Sequence, residues 1–538
     1  MHSDAARISI LAAAIGLLFS AVGCGEQQIS SSTAPPTVSL DSGMVRGIDA
    51  GRAEEFLGIP YAAPPVGDLR WKPAAPVAPW SGIRDATTLP VACAQLPSTN
   101  GPGSDAEDCL YLSVYRPAHT AAAKRLPVMI WIHGGGDLNG SGNQQDASAL
   151  AAETDIVVVV INYRLNVFGF LALPALTAEA ADHSSGNLGL LDQQAAMAWV
   201  QRNIAAFGGN PANVTIAGES AGGGAVCFHL GSPTAAGLFH KAVIQSGAFV
   251  VPPGASAFLG GGSTEPCGAV ALADAQKGGT KFATGAGCKD PDTQAECLRS
   301  KSVADLLAVS STFAAQPNLS GAAAPESVLD AIQAGRWNRV PVIIGTTHDE
   351  LQIAATAIPG GFPVNPAIYP TAVGFIFGSA KTPQIVAEYP ASNYSDPGFA
   401  FGALLTDAAL ACPTDSVRRL LSGLTDTYGY EFDDPNAPPG VQNGAPSGAY
   451  HSSDVHYLFD YTPFQGPTTA AQDALGSQMR RYWGAFATQG RPNANGDPAW
   501  PLFDPQHPQV MSLRPGGSIL IDDFAAFHQC AFWDNLGV

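Results

Sequence analysis

The chain has 538 residues, 46% hydrophobic content and a formal net charge of −19. That length supports a large buried core, and α/β folds of this size often run as one unit. The excess of 45 acidic over 26 basic residues fits a solvated acidic surface and argues against a nucleic-acid partner.

In chain order, the first signal is N-terminal. Arg7 precedes the apolar run Ile8 to Phe19, which is too short for a membrane span and suits the h-region of a signal peptide over residues 1–23. Ala21-Val22-Gly23-Cys24 resembles a bacterial lipobox, with Ala21 in place of the usual Leu, so Cys24 is the expected lipidation site. Residues 24–37, with the tract Ser30 to Pro36, read as a flexible tether. The mature protein is therefore expected to be exported and either secreted or lipid-anchored in a cell envelope.

One domain is expected over 38–538. The Pro-rich segment Ile59 to Pro79 reads as loops and edge strands. Leu126 to Ile132 (LPVMIWI) predicts a strand ending in His133-Gly134-Gly135-Gly136. Ile156 to Asn162, Val214 to Gly218, Lys241 to Gln245 and Val340 to Gly345 predict further strands, and Gly189 to Phe207 predicts a helix. Short continuous Val/Ile runs suit strands buried on both faces. Their alternation with helices predicts a doubly wound, mostly parallel α/β sheet with helices on both faces. Val251 to Ser327 and Glu431 to Tyr450 read as surface excursions.

Gly218-Glu219-Ser220-Ala221-Gly222 has the G-x-S-x-G form. In a chain with 59 glycines that form alone is not diagnostic. Its context is: the strand-like VTIAG precedes it and a run of small residues follows. A nucleophilic serine needs a strained strand-to-helix turn that exposes its hydroxyl, and the helix N-terminus presents amides to a developing oxyanion.

Phe207 to Gly222 (FGGNPANVTIAGESAG) resembles the serine signature of the type-B carboxylesterases, the carboxylesterase/cholinesterase family. Glu107 to Val114 (EDCLYLSV) resembles its second signature. The resemblance runs from about Val38 to the C-terminus and, with the N-terminal pattern, points to the bacterial para-nitrobenzyl-esterase-like branch. It implies the α/β-hydrolase fold and cleavage of small-molecule carboxylic esters through an acyl-enzyme, without cofactor or metal. It also implies Ser220 as nucleophile and the amides of Gly135, Gly136 and Ala221 as oxyanion donors. His133 reads as structural. Asp137 stands where the family usually has a large or aromatic residue.

A serine nucleophile needs a base, and the base needs an orienting carboxylate. Thr346-Thr347-His348-Asp349-Glu350 resembles the family's acid motif, which implies Glu350, with Asp349 as the alternative; Leu351 replaces the usual Gly. Gly448 to Phe459 resembles the histidine loop, in which an acidic residue follows the base by three positions. Asp454 fits that spacing, which implies His451, with His456 as competitor. His507 and His528 read as surface or core residues. Glu219 and Ser246 match family positions, and Ser246 is expected to support the Glu350 carboxylate.

Nine cysteines include no CxxC pair, so their spacing does not favour a zinc site. The resemblance implies the bridges Cys93–Cys109, Cys288–Cys297 and Cys412–Cys530. Cys227 is expected to be a buried thiol, and Cys267 has no assigned partner. The short loop between Cys93 and Cys109 suits an open-mouthed esterase. The alternatives are a lipase acting on longer acylglycerols and a non-catalytic recognition protein of the same fold.

Overall fold

The computed structural model describes residues 34–537 except 253, 256–261, 359–360, 440, 443 and 462–465. The expected signal peptide, Cys24 and the tether as far as residue 33 lie outside the described residues.

The framework is an eleven-stranded sheet. Its strands are β1 (Ile48–Asp49), β2 (Ala53–Pro60), β3 (Tyr111–Pro117), β4 (Leu126–Ile132), β5 (Val157–Ile161), β6 (Gly209–Glu219), β7 (Lys241–Gln245), β8 (Val342–Thr347), β9 (Thr427–Phe432), β10 (Val510–Leu513) and β11 (Ile519–Ile521). The spatial order is β11-β10-β9-β8-β7-β6-β4-β5-β3-β2-β1. Strands from β5 across to β10 run parallel, and antiparallel strands flank them at both edges.

The continuous apolar runs have a direct cause. Val157, Val159 and Ile161 of β5 enter one hydrophobic core, while Val158 and Val160 enter a second on the other face. Helix α1 (Leu188–Asn203) covers the first face through Met197, Trp199 and Val200. A long C-terminal helix, Ala470–Gln489, covers the second through Leu475, Met479, Trp483 and Phe486. Burial on both faces removes the polar alternation that a one-sided sheet would show. This is the α/β-hydrolase fold.

Two expectations need correction. Glu431 and Phe432 do not begin a surface excursion; they are buried and end β9. The segment TYGYEF lacks a β-branched run, but Tyr428, Tyr430 and Phe432 alternate into one core. Cys227 is not a free thiol: it is bonded to Cys267, with Cα atoms 5.5 Å apart. The two are 40 residues apart in sequence, so local spacing carries no trace of the pairing. The other bridges are Cys93–Cys109, Cys288–Cys297 and Cys412–Cys530. The excursion Val251 to Ser327 contains a helix, Leu272–Gly285, that buries only Gly279, Phe282 and Ala283, which explains its weak apolar pattern. Among the described residues, no helix is long and apolar enough to cross a membrane.

Candidate active site

Helix α2 (Ala221–Gly231) begins one residue after β6 ends, and Ser220 makes the turn at φ 57° and ψ −126°. A non-glycine residue there is strained and must be held by its surroundings. The Ser220 N–H donates to Gln245 O at 2.9 Å, and the Gly224 N–H donates to Ser220 O at 2.8 Å. The flanking glycines follow from the crossing of backbones. A Cβ on Gly218 would stand 2.6 Å from the Gly222 backbone, and one on Gly222 would collide with Ile132 O.

The glycine turn after β4 runs against this elbow. A Cβ on Gly134 would lie 2.7 Å from Glu219 O and 3.0 Å from Ser220 Cβ. Gly135, Gly136 and Ala221 line the same cavity as Ser220. His133 stacks on Tyr163 at 4.5 Å between ring centroids. Burial pulls its imidazole down to about 4, so it is neutral and structural. Asp137 is buried too, and burial pushes its carboxyl up to about 7, with the Tyr163 hydroxyl offsetting part of the rise.

The carboxylate and imidazole that line up behind Ser220 come from the segments after β8 and β9. Glu350 is fully buried. Its Oε1 accepts the Thr347 N–H at 2.9 Å, and its Oε2 lies 2.5 Å from His451 Nδ1. His451 Nε2 lies 2.8 Å from Ser220 Oγ. Asp349 instead clamps the two loops together. Its N–H donates to Ala449 O, and its Oδ2 accepts the Ala449 N–H at 3.0 Å. The imidazole between Ser220 and a carboxylate is therefore His451 rather than His456, and the carboxylate is Glu350 rather than Asp349.

Glu219 flanks the same imidazole, its Oε1 lying 3.3 Å from His451 Nε2 and accepting from Ser452 Oγ at 2.5 Å. Burial raises the Glu219 carboxyl to about 7. Burial acts to lower His451, but the charges of Glu219 and Glu350 outweigh it and leave the imidazole raised. Asp454 sits behind the loop, accepting from Gln245 Nε2 at 2.8 Å and Tyr430 OH at 3.0 Å. Ser246 does not bond Glu350; its Oγ is buried without a partner among the described residues, and Thr347 supplies the amide instead. Gln245 and Tyr430 thus join the site although no local motif marks them, while Thr347 lies within the acid segment itself.

The cavity above Ser220 has a volume of about 490 Å³. Phe228, Phe249, Leu351 and Leu410 give it an apolar wall, and Asn100 and Gln145 a polar one. A strained serine, an imidazole and a buried carboxylate in one hydrogen-bonded line, facing a glycine turn across a cavity, can carry out acyl transfer.

A family model described as the carboxylesterase family matches residues 34–533. The chain belongs to the carboxylesterase family. This carboxylesterase is similar to rabbit (Oryctolagus cuniculus) cocaine esterase, at 36% identity over 86% of the chain and 87% of that relative. It is also similar to human (Homo sapiens) cocaine esterase, at 33% identity over 99% and 96%. A solved PNB esterase matches at a TM-score of 0.76 and 29% identity, covering 93% of this chain and 100% of that one. The enzyme is a serine carboxylesterase that hydrolyses esters.

Proposed function

We propose that Ser220 is the nucleophile, His451 the general base and acid, Glu350 the orienting carboxylate, and the N–H groups of Gly135, Gly136 and Ala221 the oxyanion donors. The unbroken line Glu350–His451–Ser220 at the cavity floor carries this reading. His451 takes the Ser220 proton as Oγ attacks the ester carbonyl. The amides hold the tetrahedral oxyanion, each donor contributing about 10²–10³-fold in rate. His451 then protonates the departing alcohol. Water, deprotonated by the same imidazole, attacks the acyl-enzyme and releases the acid.

The cavity volume and its apolar wall favour compact esters over long-chain acylglycerols. Ser220→Ala should abolish hydrolysis of p-nitrophenyl butyrate while circular dichroism stays unchanged; wild-type turnover by that variant would remove the assignment. A chain-length panel with emulsified triglyceride separates esterase from lipase, because interfacial activation is expected only of the latter.

The protein is further read as an exported bacterial enzyme lipidated at Cys24. The N-terminal pattern supports this, as do four disulfides, which persist in oxidising compartments. Cys24→Ser should end incorporation of labelled palmitate; undiminished labelling would refute lipidation there.

A further inference from the structure

A second group of side chains converges at the ends of β8 and β9 and plays no part in the acyl transfer described above. His348 follows β8, Glu431 lies in β9, and His528 comes from the C-terminal segment. His348 Nδ1 lies 3.0 Å from Glu431 Oε1, and His528 Nε2 lies 2.7 Å from the same oxygen. One ligand atom from each residue falls within 4.8 Å of the others. None of the three residues lines the cavity above Ser220.

We propose that His348, Glu431 and His528 bind a divalent transition-metal ion of the zinc type. Two imidazole nitrogens and a carboxylate oxygen are the donor set such an ion prefers, and zinc often takes three protein ligands plus water. The spacing needs only small adjustment for ligands about 2.0–2.2 Å from a common centre. Water has an approach to the fourth position, because the His348 side chain is 26% exposed while Glu431 and His528 are buried.

The surrounding residues support the donor set. His528 Nδ1 lies 2.5 Å from Asp407 Oδ1, an outer carboxylate that would keep a proton on Nδ1 once Nε2 gives up its own, now directed at Glu431, to a bound metal. Asp407 Oδ2 in turn accepts from Tyr389 OH at 2.6 Å, and Trp533 Nε1 donates to that hydroxyl at 2.7 Å. Asp407 opens a π-helical turn, Asp407–Ala411, a feature that occurs often at functional sites. The bridge Cys412–Cys530 ties the end of that turn to the segment bearing His528. The carboxylates of Asp407 and Glu431 match the charge of one divalent cation. On binding, each imidazole that carries a proton on its metal-facing nitrogen releases it to solvent.

Cysteine spacing favoured no zinc site, but these ligands come from three segments far apart in the chain. The site is independent of the esterase assignment. Its occupation would brace the strand end two residues before Glu350.

The test uses the full chain stripped of metal by chelation and titrated with ZnCl₂. One zinc per chain should be retained through dialysis by elemental analysis, with a raised thermal midpoint; MgCl₂ should do neither. His348→Ala, a change at a half-buried position, should weaken zinc affinity at least about tenfold in calorimetry, and Asp407→Asn by about 10–100-fold. His507→Ala, at an exposed residue paired with Asp504, should leave the affinity unchanged. A folded, ester-cleaving wild type that retains no zinc would overturn the proposal. So would zinc bound equally tightly by wild type, His348→Ala and Glu431→Gln.

Discussion

Two imidazoles in this enzyme each stand between two carboxylates, and they differ in what else they touch. His451 lies against Glu350 and Glu219, yet its Nε2 also reaches the Ser220 hydroxyl at the floor of an open cavity. His528 lies between Asp407 and Glu431, is fully buried, and has both nitrogens engaged by carboxylates. Acidic partners raise both imidazoles. A raised histidine is therefore not by itself a catalytic base. In the proposed mechanism a nucleophile and an opening to substrate make His451 one, whereas His528 has neither beside it.

That contrast is breakable. His451→Asn should lower kcat/KM for p-nitrophenyl butyrate by about 10⁴-fold or more with little change in Tm. His528→Asn should do the reverse, retaining turnover in the folded fraction while destabilising by about 3 kcal/mol, as expected for opening a buried charged network. Equal loss of turnover from both variants would erase the distinction. Next in size, Glu350→Gln should cost about 10³-fold in kcat, because the imidazole loses its orienting carboxylate. Asp349→Asn, which loosens only the loop clamp, should cost less than about tenfold.

How much of this was legible in the chain follows the same division. The elbow at Ser220 is one contiguous segment, and its glycines are required by backbone crossings that any such turn must make, so the motif survives in sequence. Glu350 and His451 each sit in a short contiguous segment that resembles a family motif. His528 is another matter. Its partners Asp407 and Glu431 stand 121 and 97 residues away, and nothing near it marks the convergence. The Cys227–Cys267 bridge was hidden for the same reason. Strand β9 was obscured because aromatic alternation around Gly429 replaces the β-branched pattern.

Two smaller effects sharpen the His451 side. The Glu219 carboxylate stabilises the imidazolium, so the neutral base is present only above a raised pKa and activity falls as pH drops through it. Glu219→Gln removes that charge and should move the acid limb of the kcat/KM profile down by about one pH unit. An unmoved or upward-shifted limb would mean that Glu219 does not set the base. The smallest effect concerns Asp137, which loses its proton above about pH 7 and then places negative charge beside the oxyanion turn. Asp137→Asn should raise kcat above that pH by roughly two- to threefold, with no gain in acid.

In the proposed mechanism one strained serine, Ser220, does the chemistry. Incubation with an alkyl fluorophosphonate followed by peptide mass mapping distinguishes Ser220 from every other hydroxyl. One adduct per chain is expected, on Ser220, formed at least about 10³-fold more slowly in His451→Asn. An adduct on any other residue, or full labelling of His451→Asn, would rule out Ser220 activated by His451.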